Sequence, residues 1–300
     1  MKSFVYLLKR LAGSIIVLFG LSILIFLLAR IIPGNAVELA LGPNATQEAI
    51  DLFIEKNHLD KPVNVQYYFW LKNAVRGDFG YSTLTRRPVS NDIKEFLPAT
   101  LELVMFAAIL EVVIGFLLGI ISARYSGKWI DNVTKSVSYM GIATPPFVWG
   151  VLLLLFFAYL IPILPTIGRI SEYIVKPAKH TGFMMLDSLL EGNIKAFWDV
   201  FKHLLMPGIA LASSGTASAA RITRTSILEN MSKDYVSAEI AAGIPMKKIM
   251  TSYVLRPSAI STISVIGMDL AAMMGNAFAV EQIFGYPGFS RYGLNALLNV

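Results

Sequence analysis

The sequence predicts an all-α protein that crosses a membrane several times, and three observations carry that prediction. Of its 300 residues 55% are hydrophobic and only 15% charged, a balance outside the range of soluble globular domains. Five stretches are apolar over roughly the ~20 residues that a helix needs to cross the hydrocarbon core. Lysine and arginine, which give a net charge of +6, are scattered and often sit beside those stretches, where they read as topology signals and not as a nucleic-acid surface. The absence of cysteine excludes disulfides and thiolate chemistry.

The first span covers residues 11–29 and follows Lys2, Lys9 and Arg10. Its apolar run is longer than that of a signal peptide and no small-residue cleavage site closes it, so it reads as retained, with the N-terminus inside. Further spans are predicted at 101–123, 137–164, 204–220 and 260–280. Five crossings from an inside start leave the C-terminus outside. Linkers 124–135 and 221–256 are then cytoplasmic and carry Arg124, Lys128, Lys135, Arg221, Arg224, Lys247 and Lys248, in accord with the positive-inside bias. Linkers 31–98 and 162–203 are external. The chain thus divides into a first transmembrane helix, 1–30, an extracytoplasmic cap region, 31–98, and a core, 99–300.

The cap region holds an amphipathic pattern that Asn44 or Thr46 caps and that Pro62 and the "RGDFG" turn interrupt. Gly77-Asp78 reads as a turn and not as an integrin motif. "GFMMLDSLLEGNIKAFWDVFKHLLMP" reads as an external amphipathic helix along the interface, with Trp198 and its neighbouring phenylalanines at headgroup level. Pro145-Pro146 break the ladder of the third span and kink it, as a fixed kink or a hinge. The fourth span, which includes Ser214, is crowded with Gly, Ala and Ser, and Gly267, Ala271, Gly275 and Ala279 repeat the theme in the fifth; both read as close helix packing, with direct substrate contact as the alternative.

The stretch "DYVSAEIAAGIPMKKIMTSYVLRP", 234–257, is too polar to insert. Val236, Ile240, Ile244, Ile249 and Val254 give it one apolar face, Lys247 and Lys248 lie on the other, and Gly243 and Pro245 divide it into two short helices. Such a pair docks in a groove on a soluble partner or lies on lipid headgroups, and periodicity leaves both readings open. Inside the spans Glu111 and Asp269 are intramembrane acids, with Asn276 a few residues beyond Asp269. Such acids face a cavity or a partner. Lining a translocation pathway and forming a structural ion pair or neutral hydrogen-bonded acid are the two readings for Asp269. His58, His180 and His203 lack ligand spacing, and no metal site is assigned. No nucleophile motif, H-E-x-x-H or cysteine supports a membrane enzyme, and no G-x-x-x-x-G-K-[ST] cradles ATP.

The 234–257 stretch, together with "KRLAGSIIVLF", "GDFGYS", "RRPVSNDI", "LPATLEL", "ILPTIG", "HLLMPGIALA", "ARITRTSILE" and "EQIFGYPGFSRYGLNALL", resembles the permease subunits of binding-protein-dependent ATP-binding-cassette importers, in the branch that imports peptides and nickel. The likeness runs over essentially the whole chain and implies the transmembrane domain of a type I importer. It implies a coupling loop, about 228–257, that docks on an ATPase through Asp234, Tyr235, Ala238, Glu239, Ala242, Gly243, Lys247 and Lys248, with Gly243 as the turn. It further implies a second related permease, two ATPases that hold ATP and Mg, and an external binding protein. Cargo is then a short peptide or, as the alternative, nickel or a metal chelate. Asp269, Asn276, Glu111 and Ser214 are the pathway candidates. A secondary transporter or channel is the rival that accounts for the spans but not for the loop. The pattern departs at Ser237-Ala238-Glu239, where the family has Glu-Ala-Ala, and at Pro257 and Ser261, where its proline is displaced. The family's sixth span is also expected after the last motif, whereas this chain stops at Val300, so a truncated sequence is expected.

Overall fold

The computed structural model describes residues 2–31, 37, 41–42 and 45–298. Asn44, one of the two capping candidates, lies outside them. The chain divides into two compact units, residues 1–92 with 296–300, and residues 93–295.

In the first unit, helix α1 (Lys2–Ile31) carries the first apolar stretch. Phe26 is buried on it, with Tyr67 and Trp70 packed at 5.3 and 5.6 Å, and Ser22 bonds to the Tyr67 hydroxyl at 2.8 Å. Helix α2 (Gln47–Lys56) is capped by Thr46, whose hydroxyl accepts from the Ala49 amide at 3.3 Å. Tyr67 and Trp70 belong to α3 (Val63–Val75). His58 takes a positive φ of 55° and lies against the Phe69 ring at 3.9 Å, which makes it a packing residue. Gly77, at φ 84°, and the Asp78 carboxylate, which accepts from the Gly80 amide at 3.0 Å, form the turn expected at "RGDFG".

The second unit is built around one long buried helix. Helix α4 (Val89–Arg124) leads through a Gly127 turn into α5 (Trp129–Ala143). There the chain turns by 107° into α6 (Pro146–Leu154), which continues as a π-helical stretch to Leu160. The predicted third span, 137–164, is therefore two helices and not one kinked rod. Thr144 precedes one proline and Pro145 precedes another, so both are driven into extended backbone. After α7 (Met184–Leu190) comes α8 (Ile194–Met231), whose buried face runs from Ala196 to Ile227. The amphipathic segment expected along the interface divides between two helices. Gly192, at φ 67°, ends α7, Asn193 caps α8 through the Ala196 amide at 3.0 Å, and the Trp198 segment forms the first turns of α8.

Small residues let α8 approach its neighbours. A Cβ on Gly115 would sit 2.7 Å from that of Ala219, one on Gly119 2.5 Å from that of Thr223, and one on Gly141 2.9 Å from that of Ala217. Gly115 and Gly119 are the two glycines of a G-x-x-x-G step on α4. Following α8 are α9 (Asp234–Ala241), α10 (Met246–Lys248) with a π-helical continuation Ile249–Leu255, α11 (Arg256–Ile283) and α12 (Phe289–Leu298).

Among the described residues Phe4–Leu28, Val89–Arg124 and Met246–Ile283 are long and apolar enough to cross a membrane, and the bent pair Trp129–Ala143 with Pro146–Leu160 makes a fourth if it is one span. Helix α8 has the length, with 38 residues. Its Gly, Ala, Ser and Thr content keeps it from standing out by apolarity.

Candidate functional site

Helices α8 and α11 are the long arms from which the 234–257 segment projects. The sequence expected two short helices with a turn, and they form as α9 and α10. Gly243 sits between them at φ 75°, a conformation that costs a side-chain-bearing residue of order 1 kcal/mol or more. Val236, Ile249 and Val254 are buried and pack with Ala123 and Ile227, so the apolar face roots the segment on α4 and α8. Tyr235 braces it, donating from its hydroxyl to Asn230 Oδ1 at 2.9 Å and contacting the Tyr253 carbonyl at 3.2 Å.

This corrects the assignment of the apolar face. Three of its five members hold the segment to its own chain, and Ile244 packs against them. Ile240 departs from them, 48% exposed, and with Met246, 52% exposed, flanks the Gly243 turn. Ala242, Lys247 and Lys248 are exposed around that tip, Ala238 is exposed along α9, Asp234 is exposed at the root end of α9, and Glu239 is half-buried. What the segment offers a partner is thus a small apolar knob beside two lysines.

Of the four pathway candidates, the structure brings two together. Glu111 on α4 is fully buried, lies beside Asp269 on α11, and packs on Gly215 of α8, where a Cβ would come within 2.7 Å of its carboxyl. Among the described residues no donor reaches either Glu111 oxygen or Asp269 Oδ2. Ser214 is next to Gly215 and half-buried; Asn276 is exposed, about two turns from Asp269 on the same side of α11. Gly267 and Gly275 have open space where a side chain would go, so among the described residues nothing packs closely on these two positions of α11.

Sequence reasoning passed over a second set of acids. Glu102 on α4 binds the Arg169 guanidinium and accepts from the Met185 amide at 2.7 Å, with the buried Tyr286 hydroxyl at 3.4 Å. Burial opposes the Arg169 charge, but Tyr286 and Glu102 beside it outweigh burial and raise its pKa above the ordinary guanidinium value. Glu281, fully buried, takes the Thr100 hydroxyl and the Arg291 amide, the latter at 2.7 Å, so its carboxylate caps the first turn of α12. Asp187 does similar work in the loop before α7. Burial pushes its carboxyl upward, yet the Thr181 amide and hydroxyl and the Gly182 amide, at 2.7–3.0 Å, hold it below its usual range. The reading that singled out Glu111 and Asp269, an acid inside a span, also covers Glu102 in the span 101–123, whereas Glu281 falls one residue past the expected end of the last span at 280.

These contacts give "EQIFGYPGFSRYG" a physical role. Gly288 lies so close to the Glu281 carboxyl that any side chain would displace it. Gly288→Ala is expected to lower the thermal midpoint of the detergent-solubilised protein by several degrees, because overpacking costs about 1–3 kcal/mol. An unchanged midpoint would show that Glu281 is free to yield.

His180 lies 3.6 Å from Glu191, and buried His203 bonds through Nδ1 to the Asp199 carbonyl at 2.8 Å. With His58 on Phe69, the histidines occupy three separate places. No group of three or more His, Cys, Asp or Glu that could hold a metal occurs among the described residues.

The chain matches the family described as binding-protein-dependent transport system inner membrane component over residues 115–300, and the N-terminal family of the same systems over residues 3–104. It is 34% identical to the probable D,D-dipeptide transport system permease protein of Escherichia coli K12, over 96% of this chain and 85% of that protein. It is 33% identical to the dipeptide transport system permease protein of Alkalihalophilus pseudofirmus, over 97% and 87% of the two chains. To the glutathione transport system permease protein of Escherichia coli K12 it is 30% identical, over 95% and 84%. With matches over both parts and apolar helices in each, the chain is a multi-pass inner-membrane protein that belongs to the family of binding-protein-dependent transport system inner-membrane components.

Proposed function

We propose that this chain is the permease subunit of an ATP-driven importer that passes short peptides from an external binding protein to the cytoplasm. The observation that carries this reading is the rooted two-helix segment between α8 and α11, which presents Ile240 and Met246 beside Lys247 and Lys248. A rigid projection with an exposed apolar tip fits a groove on a soluble subunit and carries that subunit's motion into two long helices. The relatives' names favour a peptide cargo over nickel or a metal chelate.

In this reading two ATPase subunits hold ATP and Mg and dock at the Gly243 tip, which faces the cytoplasm, as does the N-terminus. A second, related permease covers the open Gly267–Gly275 side of α11 and completes the assembly around the pathway. Asp269 and Asn276 line that pathway from the other side of α11, with Glu111 beside Asp269 and Ser214 on α8. Among the described residues no donor reaches the Glu111 oxygens or Asp269 Oδ2, and the ammonium terminus of a peptide is a donor of fitting charge. Alternating access follows because ATP binding and the loaded binding protein favour different shapes of the pathway.

The test is ATP hydrolysis by the complex in lipid vesicles with its binding protein empty, loaded with short peptides, or loaded with chelated nickel. Stimulation by peptide alone is the expected result. Stimulation by nickel alone replaces the cargo, and hydrolysis indifferent to the binding protein removes the importer reading.

A further inference from the structure

At the end of the bundle where the 234–257 segment is rooted, α4, α5 and α8 enclose a cavity of about 170 Å³. Thr134, Lys135 and Tyr139 of α5 and Arg221, Arg224 and Thr225 of α8 line it. The fully buried Asp131 lies beside this lining and saturates its own oxygens: Arg224 reaches both, at 2.7 and 2.9 Å, Lys135 one at 2.9 Å, and Ser122 and the Gly127 amide complete the set at 2.6 and 2.9 Å. One carboxylate therefore answers two cations, Arg224 and Lys135. Arg221 has no acidic partner among the described residues and is exposed. The Thr134 and Thr225 hydroxyls already donate to the Ile130 and Arg221 carbonyls, at 2.9 and 3.0 Å, so the corner offers an excess of positive charge with the Tyr139 hydroxyl, and cations with a hydroxyl donor are what a phosphate oxyanion takes.

The surroundings identify the source of that oxyanion. Arg124 and Lys128 flank the Tyr125 ring at 5.9 and 5.8 Å, and Trp129 opens α5 with 73% of its surface exposed. Aromatic and basic residues gathered at helix ends mark the level of lipid headgroups. On the adjoining strip of α5, Val133, Val137 and Met140 are more than half exposed, a surface suited to acyl chains. We infer that this cavity is a binding site for the phosphate of an anionic phospholipid, held by Arg221 and Lys135 with the Tyr139 hydroxyl. Basic pockets between membrane helices at this level take such headgroups.

Binding there has a consequence for coupling, and this part rests on the function proposed above. Ala123 and Ile227, on which the 234–257 segment packs, follow the cavity by less than one turn on α4 and α8. A lipid that fixes α4 against α8 at this point stiffens the root of the segment, so peptide-stimulated ATP hydrolysis gains from anionic lipid.

The experiment compares the intact complex with its Arg221→Gln and Arg221→Lys variants. Lipid retention is read by native mass spectrometry after exchange into phosphatidylglycerol or phosphatidylcholine, with inorganic phosphate as the soluble competitor. Retention of phosphatidylglycerol is expected to fall about fivefold in Arg221→Gln, by the usual weight of one basic residue at an anionic surface, and to be kept by Arg221→Lys. In vesicles, phosphatidylglycerol is expected to raise peptide-stimulated hydrolysis in the wild type and not in Arg221→Gln. Equal retention in the wild type and Arg221→Gln overturns the site, and displacement by millimolar phosphate assigns it to a soluble anion and overturns the lipid. Changed retention with unchanged lipid dependence of hydrolysis keeps the site and removes its link to coupling. A failure of peptide to stimulate any preparation counts against the importer reading alone.

Discussion

Replacing Ile240 and Met246 together by aspartate is expected to strip the ATPase subunits from the purified complex while leaving the permease folded. Both side chains are about half exposed and flank the Gly243 turn, so neither substitution opens a cavity in this chain. Burying such side chains in a partner contributes of order 1.5–3 kcal/mol each, and a charge placed in an apolar groove reverses the sign. The pair therefore weakens docking by at least about a hundredfold, on the tenfold-per-1.4-kcal/mol scale. Co-purification in detergent reads this directly. Val236→Asp is the contrasting variant: it buries a charge in the root beside Ile249 and Val254 and is expected to lower the yield of permease itself. Gly243→Pro gives the docking defect by another route, since proline is fixed near φ −65° and the turn needs 75°. ATPase bound at wild-type levels to the Ile240/Met246 double variant would place the docking surface elsewhere.

The second large effect concerns the acids inside the membrane. Asp269→Asn is expected to cut peptide uptake at least about tenfold with assembly unchanged, because it removes the charge that an ammonium group meets and keeps the shape. Gly215→Val is expected to act differently. Its side chain would occupy the space of the Glu111 carboxyl, separate α4 from α8 and α11, and reduce the amount of folded complex. Uptake by vesicles and the recovery of assembled complex separate these outcomes. Normal uptake by Asp269→Asn removes that residue from the pathway, and normal assembly of Gly215→Val shows that the three helices tolerate a wider crossing.

Much of the architecture was legible because it follows from local chemistry. Apolar runs near 20 residues, Thr46 before α2, Gly77-Asp78 as a turn and Gly243 between two short helices each need only near neighbours in sequence. The 107° turn at Thr144-Pro145-Pro146 was half legible. Two consecutive prolines announce a break, but the angle depends on what α6 packs against, including Phe284, which a Cβ on Gly150 would meet at 3.2 Å. Helix α8 extends to Met231, well past the expected span end at 220, since its polar last turns are held by Arg224 on Asp131 and by Asn230 on Ser258.

The sequence by itself determined that this is a helical membrane protein, that 234–257 is a pair of short helices too polar to insert, and that Glu111 and Asp269 are out of place in lipid. Only the tertiary structure decided which side of each helix is spoken for. Periodicity shows that Val236, Ile240 and Ile249 share an apolar character but not that Val236 and Ile249 meet Ala123 and Ile227 while Ile240 meets none of them. It likewise cannot show that acids on two helices 158 positions apart come side by side over a glycine of a third. Burial and charge pairing between distant segments are set by how closely helices cross. That closeness depends on residues without side chains, Gly115, Gly119 and Gly215, whose effect lies in what they let their neighbours reach.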